Sequence, residues 1–333
     1  MPMTMLLTKR RRCLYWVLVL LLAGAALAGL ARWHGSASSV LAPEEKPPQA
    51  SQQRLYADVE FLTALRPARS YQNPTSLNQA ADYIKAEFGK LGGRVEEQPF
   101  AVGGRRYRNI IASFGPAAAE RIIVGAHYDV CGNQPGADDN ASAVAGLLET
   151  ARLLAARPGS LTRRIDFVAY SLEEPPFFAT NDMGSAVHAK SLHDQKVPVR
   201  AMLGYEMIGY FTDAPGSQSF PSPQLARQYP SVGNFIMVVG QQGQETLVQR
   251  VKTLMQAHAS LDVQSISLPA TTALAGLSDH RNYWRYGYPA LMINDTAFLR
   301  NRNYHRPSDT IDTLDFARMA QVVDGVLSAI LAL

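Results

Sequence analysis

RIIVGAHYDV, residues 121–130, is an apolar run that delivers a histidine and then, two positions on, an aspartate. Residues 121–126 read as a β-strand, and an extended chain points residues i and i+2 to the same side. Asp129 could therefore hold the second ring nitrogen of His127 and fix its tautomer, as a metal-binding histidine needs. Four more stretches repeat the arrangement: PGADDN at 135–140, SLEEPP at 171–176, GYEMIG at 204–209 and NYHRPSD at 303–309. Each sets a His, Asp or Glu at or near the end of an apolar run. Together they offer two histidines and several carboxylates, the donor set two neighbouring zinc ions require. If these stretches converge in space, the chain is a metal-dependent hydrolase.

Working outward, strand-like runs cover 94–100, 109–114, 164–172, 200–205, 235–239 and 289–293. Helical spacing links Leu77, Ala81, Ile84, Phe88 and Leu91 behind Ser76-Leu77-Asn78-Gln79, which has the form of a capping box. Further helices are predicted to start after Asn140 and run to Ala155, and to cover 244–258 and 313–331. Strands alternating with helices indicate an α/β fold: a mixed, mostly parallel central sheet with helices on both faces, carrying an antiparallel edge. Sites in such sheets form beyond the carboxyl ends of strands. GAHYDV, SLEEPP and GYEMIG all fall there.

The chain has 333 residues, 47% of them hydrophobic, and a formal charge of +4. Lys9, Arg10, Arg11, Arg12 and Arg32 account for five positive charges in the first 32 residues, which hold no acid, so the remainder carries −1. The basic character thus belongs to a targeting segment, and no basic patch in the body suggests nucleic acid. Residues 13–31 are uncharged and apolar, long enough at helical rise to span about 28 Å of hydrocarbon. The cations ahead of them keep that end in the cytoplasm. The run is read as a signal-anchor or as a signal peptide cleaved near Ala26-Leu27-Ala28. The body is then exported either way: membrane-anchored with its working domain outside the cytoplasm, periplasmic or extracellular, or secreted if cleaved. Residues 1–12 form the cytoplasmic segment, 32–53 a flexible stalk rich in Ala, Ser, Pro and Gln, and 54–333 the folded domain. Cys131 is the only cysteine of that body, so no internal disulfide forms there. It sits close to His127 and Asp129; a thiolate ligand is one reading, a small buried residue the simpler one. No GxGxxG before a helix and no GxxxxGK[ST] suggests nucleotide binding.

Context sorts the seven histidines. His34 lies in the stalk, and His188, His193 and His258 have no acidic cluster beside them. His280, in Ser278-Asp279-His280, suits a supporting role as well as a ligand role. Asp138-Asp139-Asn140 could simply cap a helix, but two acids near a metal-type histidine could also bridge two cations. Glu173 and Glu174, adjacent at a strand end, repel unless a cation or proton relieves them. One could ligate while the other takes a proton; otherwise both are solvated loop acids. Glu206 ends an apolar run in the same way, and His305 sits in a polar loop between Tyr304 and Asp309.

GAHYDV, PGADDNASAVAGLLE, the Glu pair, the strand-end acid before Met-Ile-Gly and YHRPSDT together resemble the secreted di-zinc aminopeptidases. That family takes in bacterial leucyl aminopeptidases, aminopeptidase Y, glutamate carboxypeptidase II, the transferrin receptor ectodomain and glutaminyl cyclases. The resemblance covers residues 54–333. It implies a zinc-exopeptidase-like fold and two zinc ions. His127 and Glu206 would bind the first, Glu174 and His305 the second, and Asp139 would bridge them. Glu173 would be general base and proton shuttle, Tyr304 an oxyanion donor, and Asp129 the group orienting His127. The implied reaction is hydrolysis of N-terminal peptide bonds, with peptides bearing a free N-terminus as partners. The sequence departs from the family at Glu206, where Asp is usual; the longer arm implies a looser first site, tightened by Glu206→Asp. Gly184-Ser185 also follows the Glu pair later than is usual. Two other readings remain: a glutaminyl cyclase-like acyltransferase with one zinc on Asp139, Glu174 and His305, and a binding ectodomain without catalysis. The Pro- and aromatic-rich segment 209–235 is expected to wall or cover the substrate pocket.

Overall fold

The computed structural model describes residues 49–117, 119–157, 159 and 161–333. The expected membrane or signal run at 13–31 lies outside them. Among the described residues no helix is long and apolar enough to cross a membrane.

Helix α1 (Gln52–Ala64) starts where Ser51 Oγ accepts the Arg54 N–H at 3.3 Å. Leu55, Val59 and Leu62, spaced four and three apart, form its buried stripe. The last residues of the stretch read as stalk therefore belong to the fold. Helix α2 (Pro74–Gly89) begins earlier than the capping-box reading placed it. Pro74 opens it with a preset φ and no N–H to satisfy, while Ser76 lies inside the helix and is buried.

Among the described residues eight strands form one sheet in the order β1-β2-β4-β3-β5-β8-β6-β7. They are β1 (Arg94–Val102), β2 (Arg105–Phe114), β3 (Arg121–His127), β4 (Arg164–Tyr170), β5 (Val199–Glu206), β6 (Phe235–Gln241), β7 (Asp262–Leu268) and β8 (Ala290–Asn294). The central strands β4, β3, β5 and β8 run parallel. β2 pairs antiparallel with β4, and β6 antiparallel with β8, so reversal occurs towards both edges rather than one. The apolar runs of the middle strands are buried on both faces, as helices on both sides demand. α1, α2, α3 (Ala143–Ala155), α6 (Glu245–Gln256) and α8 (Phe316–Ala332) cover the larger core. α4 (Gly184–Asp194) and the short α7 (Arg281–Trp284) cover the other face with Ala189, Leu192 and Tyr283. The short helix α5 (Pro223–Gln228) lies within the segment read as a pocket wall.

The carboxyl ends of β3, β4 and β5 are adjacent, and they open onto a turn at Ala137–Ser142 that precedes α3. Gly136 enters that turn at φ 60°, and a Cβ there would stand 2.3 Å from the carbonyl oxygen of Asp139. Glycine is what lets the turn approach itself so closely.

Candidate metal centre

His127 is the last residue of β3 and Glu206 the last of β5, both almost fully buried. Glu173 and Glu174 stand just past β4 on a turn that Asp129 holds: its Oδ1 accepts the N–H of Glu173 and its Oδ2 that of Glu174, each at 3.1 Å. Asp309 grips the other turn alike, accepting the N–H groups of Asp138 at 2.9 Å and Asp139 at 3.0 Å. These carboxylates set the backbone so that the acids beside them project into one space.

The side-chain tips meet there. Nε2 of His127 lies 3.6 Å from Oδ1 of Asp139, 3.3 Å from Oε2 of Glu206 and 3.8 Å from Oε2 of Glu173. Nε2 of His305 lies 3.0 Å from Oδ2 of Asp139 and 3.3 Å from Oε2 of Glu174. Asp139 therefore faces a histidine with each oxygen. Two donors at zinc bond lengths and a tetrahedral angle sit about 3.3 Å apart, and the 3.0–3.6 Å separations within each group bracket that value. His305 Nε2 makes no well-directed hydrogen bond to either neighbour, and the buried Oε1 of Glu174 has no partner at all. The residues fit two cations, one among His127, Asp139 and Glu206, the other among Asp139, Glu174 and His305.

Charge supports the fit. Asp129, Asp139, Glu173, Glu174, Glu206 and Asp279 are each at most 7% exposed, against two imidazoles. Burial would pull His127 down, but Glu206 and Glu173 hold it well above its ordinary value. Burial would likewise lower His305, yet Asp139 and Glu174 push it up to about 10. Burial, then the charge of Asp139, raises Glu174 to about 7, and Glu173 is held well above the usual carboxylate range chiefly by burial. The cluster gathers protons where metal ions would supply the same positive charge.

Asp129 departs in detail from its expected role. Its Oδ1 is 3.5 Å from Nδ1 of His127, which has no hydrogen-bond partner, because the carboxylate is engaged by the two peptide N–H groups. His280 donates its Nε2–H to the carbonyl of Ala275 at 2.7 Å and His188 pairs with Tyr283 at 2.6 Å; burial lowers both to about 4, so they are neutral core groups. Tyr304 stacks on His305 with ring centres 3.8 Å apart, and burial plus the charges of Asp139 and Glu174 keep its phenol protonated. Cys131 is half-buried, its thiol pushed up to about 11 by burial and then by Glu174 and Asp139.

Several supporting residues make contacts that their sequence context did not announce. Ser278 donates to Oε2 of Glu206, and Asn140 gives its Nδ2–H to the same oxygen while its Oδ1 accepts the Met207 N–H. Asp138 accepts from Gly209 N–H and Asn301 Nδ2, and is held well above its usual range by burial and by Asp295. Arg69, fully buried, donates to the carbonyls of Tyr128, Pro135 and Gly136. Asp295 carries a signal of the kind used elsewhere, an acid just past an apolar strand; Arg69 in its loop carries none.

A cavity of about 180 Å³ opens beside the cluster. Phe220, Leu225 and Tyr229 of segment 209–235 line it, as expected of a wall, with Met237, Ile266 and Met292 from the sheet. Its charged lining is confined to the acids and His305 at the metal end.

Residues 109–330 match the model described as peptidase family M28. The chain is 46% identical over 290 residues to the uncharacterized protein YfbL of Escherichia coli K12, spanning 85% of this chain and 88% of that one. Leucine aminopeptidase 1 of Blastomyces gilchristii is 27% identical over 292 residues, 82% of this chain and 69% of that protein. Among solved structures, a glutaminyl cyclase of Porphyromonas gingivalis shares the fold with a TM-score of 0.63 at 20% identity, covering 85% of this chain and 98% of the other.

Proposed function

The chain belongs to peptidase family M28, and from that premise we propose that it is an exported metallo-aminopeptidase, releasing an apolar N-terminal residue from peptides. The observation that carries the proposal is the placing of Asp139 between two donor sets, with Glu173 beside them at the mouth of an apolar cavity. Zinc bound there would polarise a carbonyl and bring the pKa of water towards neutrality.

The chain's own residues then have distinct tasks. Glu173, whose affinity for a proton is raised by burial, takes a proton from the attacking water at its carboxylate and returns it to the leaving amine. Tyr304, kept protonated, donates its hydroxyl hydrogen to the developing oxyanion. The surplus of carboxylates at the metal end suits a free α-ammonium group, and the apolar wall beyond it excludes water and receives the first side chain. Export rests on the basic residues 9–12 followed by the apolar run 13–31.

The test is a zinc-supplemented assay of the full chain on aminoacyl amides, N-blocked peptides and peptides beginning with glutamine. Release of apolar residues from free N-termini alone is expected. Ammonia from N-terminal glutamine without hydrolysis would replace this reading with a cyclase; cleavage of blocked peptides would remove the exopeptidase assignment.

A further inference from the structure

The loop after β3 brings Cys131 to the His305 side of the cluster. Its Sγ, a carboxylate oxygen of Glu174 and a ring nitrogen of His305 all lie within 4.8 Å of one another. Glu174 is 3% exposed, and its Oε1 is buried without any hydrogen-bond partner. Cys131 does not line the apolar cavity. It lines a separate narrow crevice with Asp139, His305 and Asp309. The thiol thus approaches from a side other than the one open to substrate.

We propose that Cys131 is a protein donor to the metal ion held by Glu174, His305 and Asp139. The inference rests on the metal-centre reading above and adds a ligand to it. A tetrahedral zinc with one sulfur at about 2.3 Å and its other donors at 2.0–2.1 Å spaces sulfur and its neighbours about 3.5 Å apart. The nitrogen and oxygens are already 3.0–3.3 Å apart. The sulfur has at most about 1.3 Å to close from the 4.8 Å limit, a side-chain rotation for a residue that is half-exposed. As the sulfur–metal bond forms, the thiol proton leaves to solvent.

The two halves of the centre are then chemically unlike. His127, Asp139 and Glu206 present only nitrogen and oxygen, which several divalent ions accept. The half with Cys131 is softer and selects zinc, cobalt or cadmium over manganese or magnesium. Removing the thiol should level that difference.

The experiment loads the full chain with cobalt(II), in a Cys13→Ser background so that one thiol remains. A thiolate-to-cobalt charge-transfer band in the near ultraviolet is expected, and it should vanish in Cys131→Ser and Cys131→Ala while both variants still bind two ions per chain. Independently of any change at the site, zinc should slow alkylation of Cys131 in the parent protein. Two bound ions with no such band and no protection of the thiol would overturn the inference and leave the metal centre standing. No bound ion in any of the proteins would overturn the metal centre and this inference together.

Discussion

Ser278 donates its hydroxyl hydrogen to Oε2 of Glu206 at 2.6 Å, joining residues 72 positions apart. The same oxygen lies 3.3 Å from Nε2 of His127 and 3.3 Å from Nδ2 of Asn140. The longer arm of glutamate is therefore spanned and held. Glu206→Asp would withdraw the carboxylate by about one carbon–carbon bond, roughly 1.5 Å, from all three partners. Affinity for the ion beside His127 should fall about 10–100-fold, the range typical of disturbed support around a ligand. Chelator competition measures it; an unchanged or tighter site would refute the role given to Ser278 and Asn140.

Glu173 shares the buried cluster without being needed by either donor set. Glu173→Gln should keep both ions and lose turnover by about 10²–10⁴-fold, the usual weight of general acid–base catalysis. Metal analysis alongside kcat decides it: metal loss, or near-normal turnover, rules out the base assignment.

Asp139 faces both histidines, at 3.6 Å from His127 and 3.0 Å from His305. Asp139→Ala should abolish tight binding of both ions at once, whereas His305→Ala should release one. Retention of two ions by Asp139→Ala would show that the carboxylate does not bridge.

The ion-free protein should be more stable in mild acid than in mild base. Burial comes first in pushing Glu174, Asp279 and Asp309 up to about 7 and Asp295 up to about 6. A carboxyl raised above its unfolded value of about 4 stabilises the fold fully below that pH and loses the contribution as pH climbs through 6–7. His305, which burial lowers but Asp139 and Glu174 carry up to about 10, acts in the same direction, its contribution fading at higher pH still. Melting temperature after chelation should drop between pH 5 and pH 8, and zinc added at pH 8 should restore it. A flat profile would mean that the cluster is not the acid-rich burden described.

Ile266 lines the cavity and is partly exposed, so a polar side chain can be accommodated there without unfolding the core. Ile266→Glu should raise KM for substrates with apolar first residues by about 10-fold or more, the order expected when a charge replaces an apolar wall contact, with metal content unchanged. An unaltered KM would place the first side chain elsewhere.

Most of the central sheet and the donor atoms could be read from sequence because both depend on local pattern. Apolar runs such as 121–127 announce buried strands, and a polar residue at the end of such a run stands out. The missing parts lack that contrast. Strand β7 is only partly buried along most of its length, and the adjacent polar pair Gln264-Ser265 breaks its alternation, so it resembles a surface segment. Helix α4 begins directly at Gly184-Ser185 without a side-chain cap. The hold on Glu206 was not legible, because Ser278 reaches it across a separation no local pattern reports. The double grip of Asp129 on Glu173 and Glu174 is equally non-local: it is made by backbone N–H groups, which every residue possesses.

The cluster of acids and imidazoles is rooted largely at the ends of β3, β4 and β5, while the greasy wall hangs from β6, β7 and segment 209–235. On the function proposed above, what the protein accepts and how it reacts would thus be carried by separate parts. A change of wall would then alter the taste in substrate and leave the donor cluster as it stands.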